Sequence, residues 1–333
     1  MQPRILAASL LLPMIFMTAA TVVSAAPPAK VDVCHVDETG AFMVIHVAAK
    51  ALPAHLGHGD GQPGGDVPGQ PGARFTAGCG IVPPPSVIYD AFPEVFPGSF
   101  PSLGYEATST DEFGDHIAFA GSERALERVE LSLTDWACEN DGLRDNDEAC
   151  ITTPGSSYSH DITLNLYAVD DSGGTPEPGA LIASETRSFD IPYRPSWDSV
   201  NCTGAGETPG TDVPFGGRWY DPVLDACVHG YATTVAFDFD ALELPDALIF
   251  GVAYDTGDHG ANPIGVAGPY NSLNVSLATA PPSVGVDVEP GTVDWDTSFG
   301  PFYCDGGAGG TDSFRRDADC WDPYIPVIRF IAR

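Results

Sequence analysis

Apolar and polar side chains alternate along several stretches of the chain. Val129, Leu131 and Leu133 alternate with Glu130, Ser132 and Thr134, and Ile162, Leu164 and Leu166 alternate with Thr163, Asn165 and Tyr167. Val235, Phe237 and Phe239 alternate with Ala236, Asp238 and Asp240. Leu248, Phe250, Val252 and Tyr254 form another apolar face, as do Leu273, Val275 and Leu277; Ile328 and Phe330 end the series. A period of two places successive side chains on opposite faces of a strand, so each stretch predicts a half-buried β-strand. Turn clusters such as Asp170-Asp171-Ser172-Gly173-Gly174 and Asp255-Thr256-Gly257-Asp258 separate them. Helical periodicity is confined to short stretches near Val47–Leu52 and Glu123–Leu126, and 31 Pro with 37 Gly weigh against long helices. The expected fold class is all-β: an antiparallel two-sheet sandwich, jelly-roll-like, preceded by a small disulfide-held module.

The chain is expected to divide into four parts. Residues 1–26 have the features of a signal peptide: Arg4, an apolar run from Ile5 to Val23, and small residues Ser24-Ala25-Ala26 before Pro27-Pro28. The apolar run is short for a membrane span and no basic cluster follows it, so the expectation is export and cleavage, with no membrane insertion of the mature chain. Residues 31–80 form a small Cys/His module, 81–86 (Ile-Val-Pro-Pro-Pro-Ser) a stiff Pro-rich linker, and 87–333 the β-sandwich domain.

Export changes how the cysteines read. Cys34, Cys79, Cys138, Cys150, Cys202, Cys227, Cys304 and Cys320 are even in number, which in an oxidising compartment points to disulfides. Each pair of sequence neighbours brackets a loop rich in Gly, Asp, Pro or Asn, so pairing in sequence order is expected. The charge is strongly one-sided: 46 Asp and Glu oppose 14 Lys and Arg, a formal −32. It becomes −33 when Arg4 leaves with the signal. Such a field repels nucleic acid and anionic membranes and favours cations and solubility.

Three groups of residues offer chemistry. His55-Leu56-Gly57-His58-Gly59-Asp60, with His35 and His46 upstream, places four of the eight His within 24 residues. Imidazole and carboxylate suit zinc or a similar ion, so His55, His58 and Asp60, completed by His35 or His46, are candidate metal ligands. The same His also have a structural use, capping turns in a module with little core. The stretch from Cys138 to Cys150 packs Glu139, Asp141, Asp145, Asp147 and Glu148 into one closed ring, a density of hard oxygens suited to calcium. Its bland alternative is a solvated acidic loop, with Arg144 neutralising one carboxylate. Finally, Tyr193, Trp197, Trp219, Tyr220, Trp295, Phe302, Tyr303, Trp321 and Tyr324 form an aromatic cluster in loops, many of them next to Pro, Gly or Asp. Exposed rings can stack on sugar faces, and Trp219 and Tyr220 are the leading candidates. The alternative is that such rings fill the core under long loops.

Residues 31–60 resemble a short module at the start of exported bacterial proteins, carried by Val31-Asp32-Val33-Cys34-His35 and by Ala51 to Asp60. Residues 87–333 resemble a secreted β-sandwich domain of bacteria, through phrases such as Ser102-Leu103-Gly104-Tyr105-Glu106-Ala107-Thr108 and Ile191-Pro192-Tyr193-Arg194-Pro195-Ser196. These resemblances imply export and a disulfide-held fold, and bring no catalytic residues. The chain has no phosphate loop, dinucleotide fingerprint, Gly-x-Ser-x-Gly elbow or His-Glu-x-x-His helix. The expected function is therefore a non-catalytic extracellular protein binding a polysaccharide or another cell-surface polymer. A secreted hydrolase using an Asp/Glu pair is the competing class, and a purely structural surface protein the third.

Overall fold

A computed structural model describes residues 29–96, 98, 100–140, 150–202, 219–255, 273–297, 313–318 and 321–333. The proposed signal peptide, the calcium candidates Asp141, Asp145 and Asp147, the cysteines Cys304 and Cys320, and the aromatics Phe302 and Tyr303 lie outside the described residues. The chain divides into two compact units, with the boundary between Val82 and Pro83.

The first unit opens with a hairpin of β1 (Lys30–Val36) and β2 (Phe42–Ala48), in register from Lys30↔Ala48 to Val36↔Phe42. A helix, α1 (Leu52–Gly57), follows a 3-10 turn at Ala49–Ala51. Val47 and Ala48 end β2, and the helix starts later than periodicity predicts. Pro53 falls in its first turn, where the missing N–H costs nothing. Two short strands, β3 (Arg74–Phe75) and β4 (Ile81–Val82), pair beyond it, so the Pro-rich connection is shorter than 81–86. The apolar core is small: Cys34, Val67, Ala73, Phe75 and Cys79, with Phe42 packed edge-on to Phe75 at 4.7 Å. So few buried groups cannot offset much chain entropy alone, and the Cys34–Cys79 disulfide adds roughly 2–4 kcal/mol by restricting the unfolded chain.

The second unit is two antiparallel seven-stranded sheets packed face to face. Its elements in chain order are β5 (Ser86–Asp90), β6 (Ser102–Leu103), α2 (Tyr105–Thr108), β7 (Thr110–Ala118), β8 (Ala125–Asp135), β9 (Ser157–Asp170) and β10 (Glu177–Pro192). There follow β11 (Trp219–Asp221), β12 (Ala226–Val228), β13 (Tyr231–Glu243), β14 (Ala247–Ala253), β15 (Leu273–Ala278) and β16 (Val286–Asp287). The last are β17 (Thr292–Thr297), β18 (Arg315–Ala318), β19 (Ile325–Pro326) and β20 (Ile328–Ala332). One sheet runs β10-β9-β14-β7-β17-β18, with β16 also on β7; the other runs β19-β15-β8-β20-β5, with β13 on β8 and β6 on β15. β11 and β12 form a separate two-stranded ribbon. Glu123–Leu126 is not helical: Ala125 and Leu126 begin β8, and Leu126 is buried in the core, where packing overrides a weak local preference.

The core is the alternation made three-dimensional. Val129, Leu131 and Leu133 of β8, with Ile328 and Phe330 of its neighbour β20, share one buried cluster with Ile162, Leu164 and Leu166 of β9 and Phe250 and Val252 of β14 in the other sheet. Each fully buried Leu or Phe contributes about 1.5–3 kcal/mol.

The sheet around β7 is less apolar than its position requires. Asp115, Asp294 and Asp317 are buried there, and Trp295 and Trp321 donate their indole N–H groups to Thr110 (2.8 Å) and Asp317 (3.0 Å). Gly114 and Gly251 are direct partners across β7 and β14. The absence of a Cβ at Gly251 lets Glu112 lie across β14, where it accepts hydrogen bonds from Asn165 (2.8 Å) and Tyr167 (3.0 Å) of β9. A Cβ on Gly251 would fall 2.0 Å from the Glu112 carboxylate. Gly251→Ala is therefore expected to eject Glu112 from both partners and to destabilise the domain by about 1–3 kcal/mol. Urea unfolding of the variant, with Glu112→Gln as its companion, measures this.

Candidate functional site

The cleft that gathers three of the nine predicted aromatic residues, Tyr193, Trp197 and Tyr220, lies at one end of the sandwich. There β8 and β10 end, β9 and β13 begin, and the β11–β12 ribbon folds over. Asp135 at the end of β8 pairs with Tyr231 at the start of β13, and Pro192 at the end of β10 pairs with Ser157 of β9. The cleft has a volume of about 290 Å³. This is close to the lower end of ligand pockets, roughly 300–1,000 Å³. Tyr193, Trp197, Tyr220 and Tyr231 supply its rings, and Asp198 and Asp221 its carboxylates.

Two disulfides hold its walls. Cys138–Cys150 closes the segment after β8, and Thr152 beyond it is bonded to Ser196 through its N–H (2.8 Å) and its carbonyl (3.2 Å). Cys202–Cys227 ties the loop that follows Trp197 to β12. Three of the four sequence-neighbour cysteine pairs are thus bonded in the described residues. They indicate an oxidising, extracellular environment.

Both carboxylates are fixed by backbone. Asp198 accepts from Val200 N–H and Asn201 N–H, each at 2.8 Å, and these bonds, with that of the Asn201 side chain, hold its pKa below the usual value. Asp221 accepts from Val223 N–H (2.7 Å), Leu224 N–H (3.2 Å) and the Tyr231 hydroxyl (2.8 Å). Burial, then the hydrogen bond to Asp221, pushes the Tyr231 hydroxyl up to about 12. Tyr220 donates to Asp225 at 2.7 Å, and that bond raises its pKa. The rings and acceptors are therefore set before any ligand arrives, which lowers the entropy cost of binding.

Trp219 is corrected by the structure. It is fully buried and cannot serve as an exposed stacking platform. β11 alternates as any strand does, so Trp219 and Asp221 point inward while the intervening Tyr220 remains half-exposed. The Arg194 guanidinium lies 4.3 Å from the Trp219 ring centre, Trp136 packs edge-on at 5.3 Å, and His229 lies at 5.0 Å. Arg194 is itself buried and donates from Nε to the Trp136 carbonyl at 3.1 Å. Trp219 is thus a packing residue beside the cleft-lining Tyr220. At the end of β8, Asp135 accepts from the Tyr158 hydroxyl at 3.0 Å, and burial pushes its carboxyl up to about 8. The other predicted rings disperse: Trp295 and Trp321 are core residues of the β7 sheet, and Tyr324 lies outside the cleft.

In the first unit, the structure gathers part of the predicted ligand set. His35, His55 and Asp60 converge, with one donor atom of each within 4.8 Å of the others. Among the described residues this is the only such group of three. His58 is exposed at the end of α1 and His46 pairs with Asp32 across the hairpin, so neither joins it.

No family model, curated protein or solved structure matches the chain. Geometry and chemistry alone bear on function.

Proposed function

We propose that this chain is a non-catalytic extracellular protein that binds a segment of polysaccharide, or another hydroxyl-rich surface polymer, in the aromatic cleft. The observation that carries this reading is the convergence of Tyr193, Trp197, Tyr220 and Tyr231 with Asp198 and Asp221 on one preorganised cleft. Planar apolar rings match the C–H faces of sugar rings, and fixed carboxylates accept hydrogen bonds from hydroxyls. The net charge of −32 directs the choice toward neutral or cationic polymers.

The cleft chemistry favours binding over hydrolysis. A general acid needs a raised pKa near the scissile bond, whereas Asp198 is held low by donated hydrogen bonds. Asp135 has a raised pKa, but it is fully buried and does not line the cleft.

A glycan array probed with the mature protein tests the reading. At least one neutral or amino-sugar polymer is expected to bind, and Tyr220→Ala to weaken it about tenfold or more, near 1.4 kcal/mol, without lowering the melting temperature by more than a few degrees. Binding to nothing on the array would defeat the proposal. Turnover of a chromogenic glycoside, lost on changing one carboxylate, would establish the hydrolase instead.

A further inference from the structure

We propose that His35, His55 and Asp60 bind one divalent transition-metal ion of the zinc or cobalt class. The local fold brings them together from three segments. Cys34 and Gly61 exchange two backbone hydrogen bonds (2.8 and 3.0 Å), which places Asp60 beside His35. Gly61 accommodates this because a side chain there would enter the Phe75 ring, 2.3 Å from a Cβ. His55 comes from α1, and its carbonyl accepts from Asp60 N–H at 3.2 Å. Both imidazoles then aim Nδ1 at the same carboxylate oxygen, His35 at 2.9 Å and His55 at 2.7 Å from Asp60 Oδ2. The other oxygen accepts from Val36 N–H at 2.9 Å.

Asp60 is only 2% exposed, yet both His are partly open to solvent. A buried anion with two imidazoles converging on one of its oxygens is an unusual use of polar groups for a module with so little core.

Two nitrogens and one carboxylate oxygen are the donors of a three-ligand zinc-type site with an open fourth position. Calcium, which takes about 6–8 oxygens, is a poor match. In a tetrahedral site with bonds of about 2.0–2.1 Å, donor atoms lie roughly 3.3 Å apart. The two nitrogen–oxygen spacings must therefore open by about half an ångström, and the two nitrogens, within 4.8 Å of each other, must settle at the same separation. Each neutral imidazole would shift its proton from Nδ1 to Nε2, and the hydrogen bonds to Asp60 would give way to bonds to the ion. Cys34 supplies no thiolate, because its sulfur is in the disulfide with Cys79.

Cobalt(II) titration of the full mature chain, followed by visible absorption and by zinc competition, tests the site. One equivalent is expected, with His35→Gln and His55→Gln each weakening binding by about 100-fold or more, since even outer-shell partners are worth about 10–100-fold. His46→Gln and His58→Gln should bind as the parent does. Near-UV circular dichroism and a thiol titration check that each variant keeps its fold and the Cys34–Cys79 bond. Less than about one tenth of an equivalent bound by the parent would overturn the proposal. So would unchanged affinity in folded His35→Gln and His55→Gln, or an equal loss in His46→Gln or His58→Gln.

Discussion

The β domain is expected to become more stable as pH falls from 8 to 6, against the usual behaviour of carboxylate-rich proteins. Most native carboxylates are held below their unfolded values and so stabilise a protein above about pH 4. Glu139, Asp170 and Asp198 behave this way here, held low by hydrogen bonds from neighbouring backbone N–H groups and side chains. Their contribution is lost only on going below about pH 4, outside this window. Asp135 and Asp294 behave oppositely. Burial, reinforced at Asp294 by Glu177 and Glu289, pushes both to about 8, while the unfolded chain ionises near 3.9. Between about pH 4 and 8 the folded state holds protons that the unfolded state has released, so stability falls as pH rises. For two such groups the gain from pH 8 to 6 has an upper bound of roughly 4–5 kcal/mol. Asp115 and Glu106, also raised by burial, act in the same direction. His116 opposes them: burial lowers its pKa, so the unfolded chain takes up a proton first and stability is lost below about pH 6.5. Thermal melts at constant ionic strength should therefore show a higher Tm at pH 6 than at pH 8. The double variant Asp135→Asn, Asp294→Asn should flatten the slope. A Tm that is unchanged or lower at pH 6 would show that these carboxyls are ionised in the folded domain.

Trp219→Ala is expected to be a stability mutation before it is a binding mutation. Removing a fully buried Trp costs about 3–5 kcal/mol, from lost burial and from the cavity left behind. The upper part of that range applies, because Arg194 would keep its buried charge but lose the ring face beneath it. For a domain of this size the loss corresponds to a Tm lower by about 6–20 °C. Trp219→Phe, which retains a ring under Arg194, should recover a large share. Were Trp219 an exposed platform, as the Trp-Tyr pair implies when read along the chain, Trp219→Ala would leave Tm almost unchanged and abolish binding. Differential scanning calorimetry separates the two outcomes.

The β-sandwich was legible wherever strands carry clean alternation. Leu131, Ile162, Phe250 and Phe330 are core residues because a period of two has one physical meaning when one face is buried. β7 and β17 were not legible. Their segments Thr110–Ala118 and Thr292–Thr297 place Asp115 and Asp294 where an apolar residue is expected, and only neighbouring strands reveal that these carboxyls are buried. The cleft was half legible: Tyr193, Trp197 and Tyr220 could be selected as aromatics beside Pro and Asp. Tyr231, which opens β13, carries no such signal, and the three-residue strand that holds Trp219 is too short a run to show which side faces inward. In the small module, the His-rich segment identified the right neighbourhood. Sequence proximity points to His58 ahead of His35, because it cannot show that the Cys34–Gly61 bridge folds Asp60 back onto β1.

The most direct test of the binding proposal is a titration of the best array ligand into the parent, Tyr220→Ala and Trp197→Ala, followed by calorimetry, with Tyr324→Ala as an aromatic control outside the cleft. Saturable 1:1 binding by the parent is expected, weakened about tenfold or more in both cleft variants and unchanged in the control, with all variants retaining their Tm within a few degrees. Equal affinity in parent, Tyr220→Ala and Trp197→Ala would place the polymer elsewhere on the protein and contradict the assignment of the cleft.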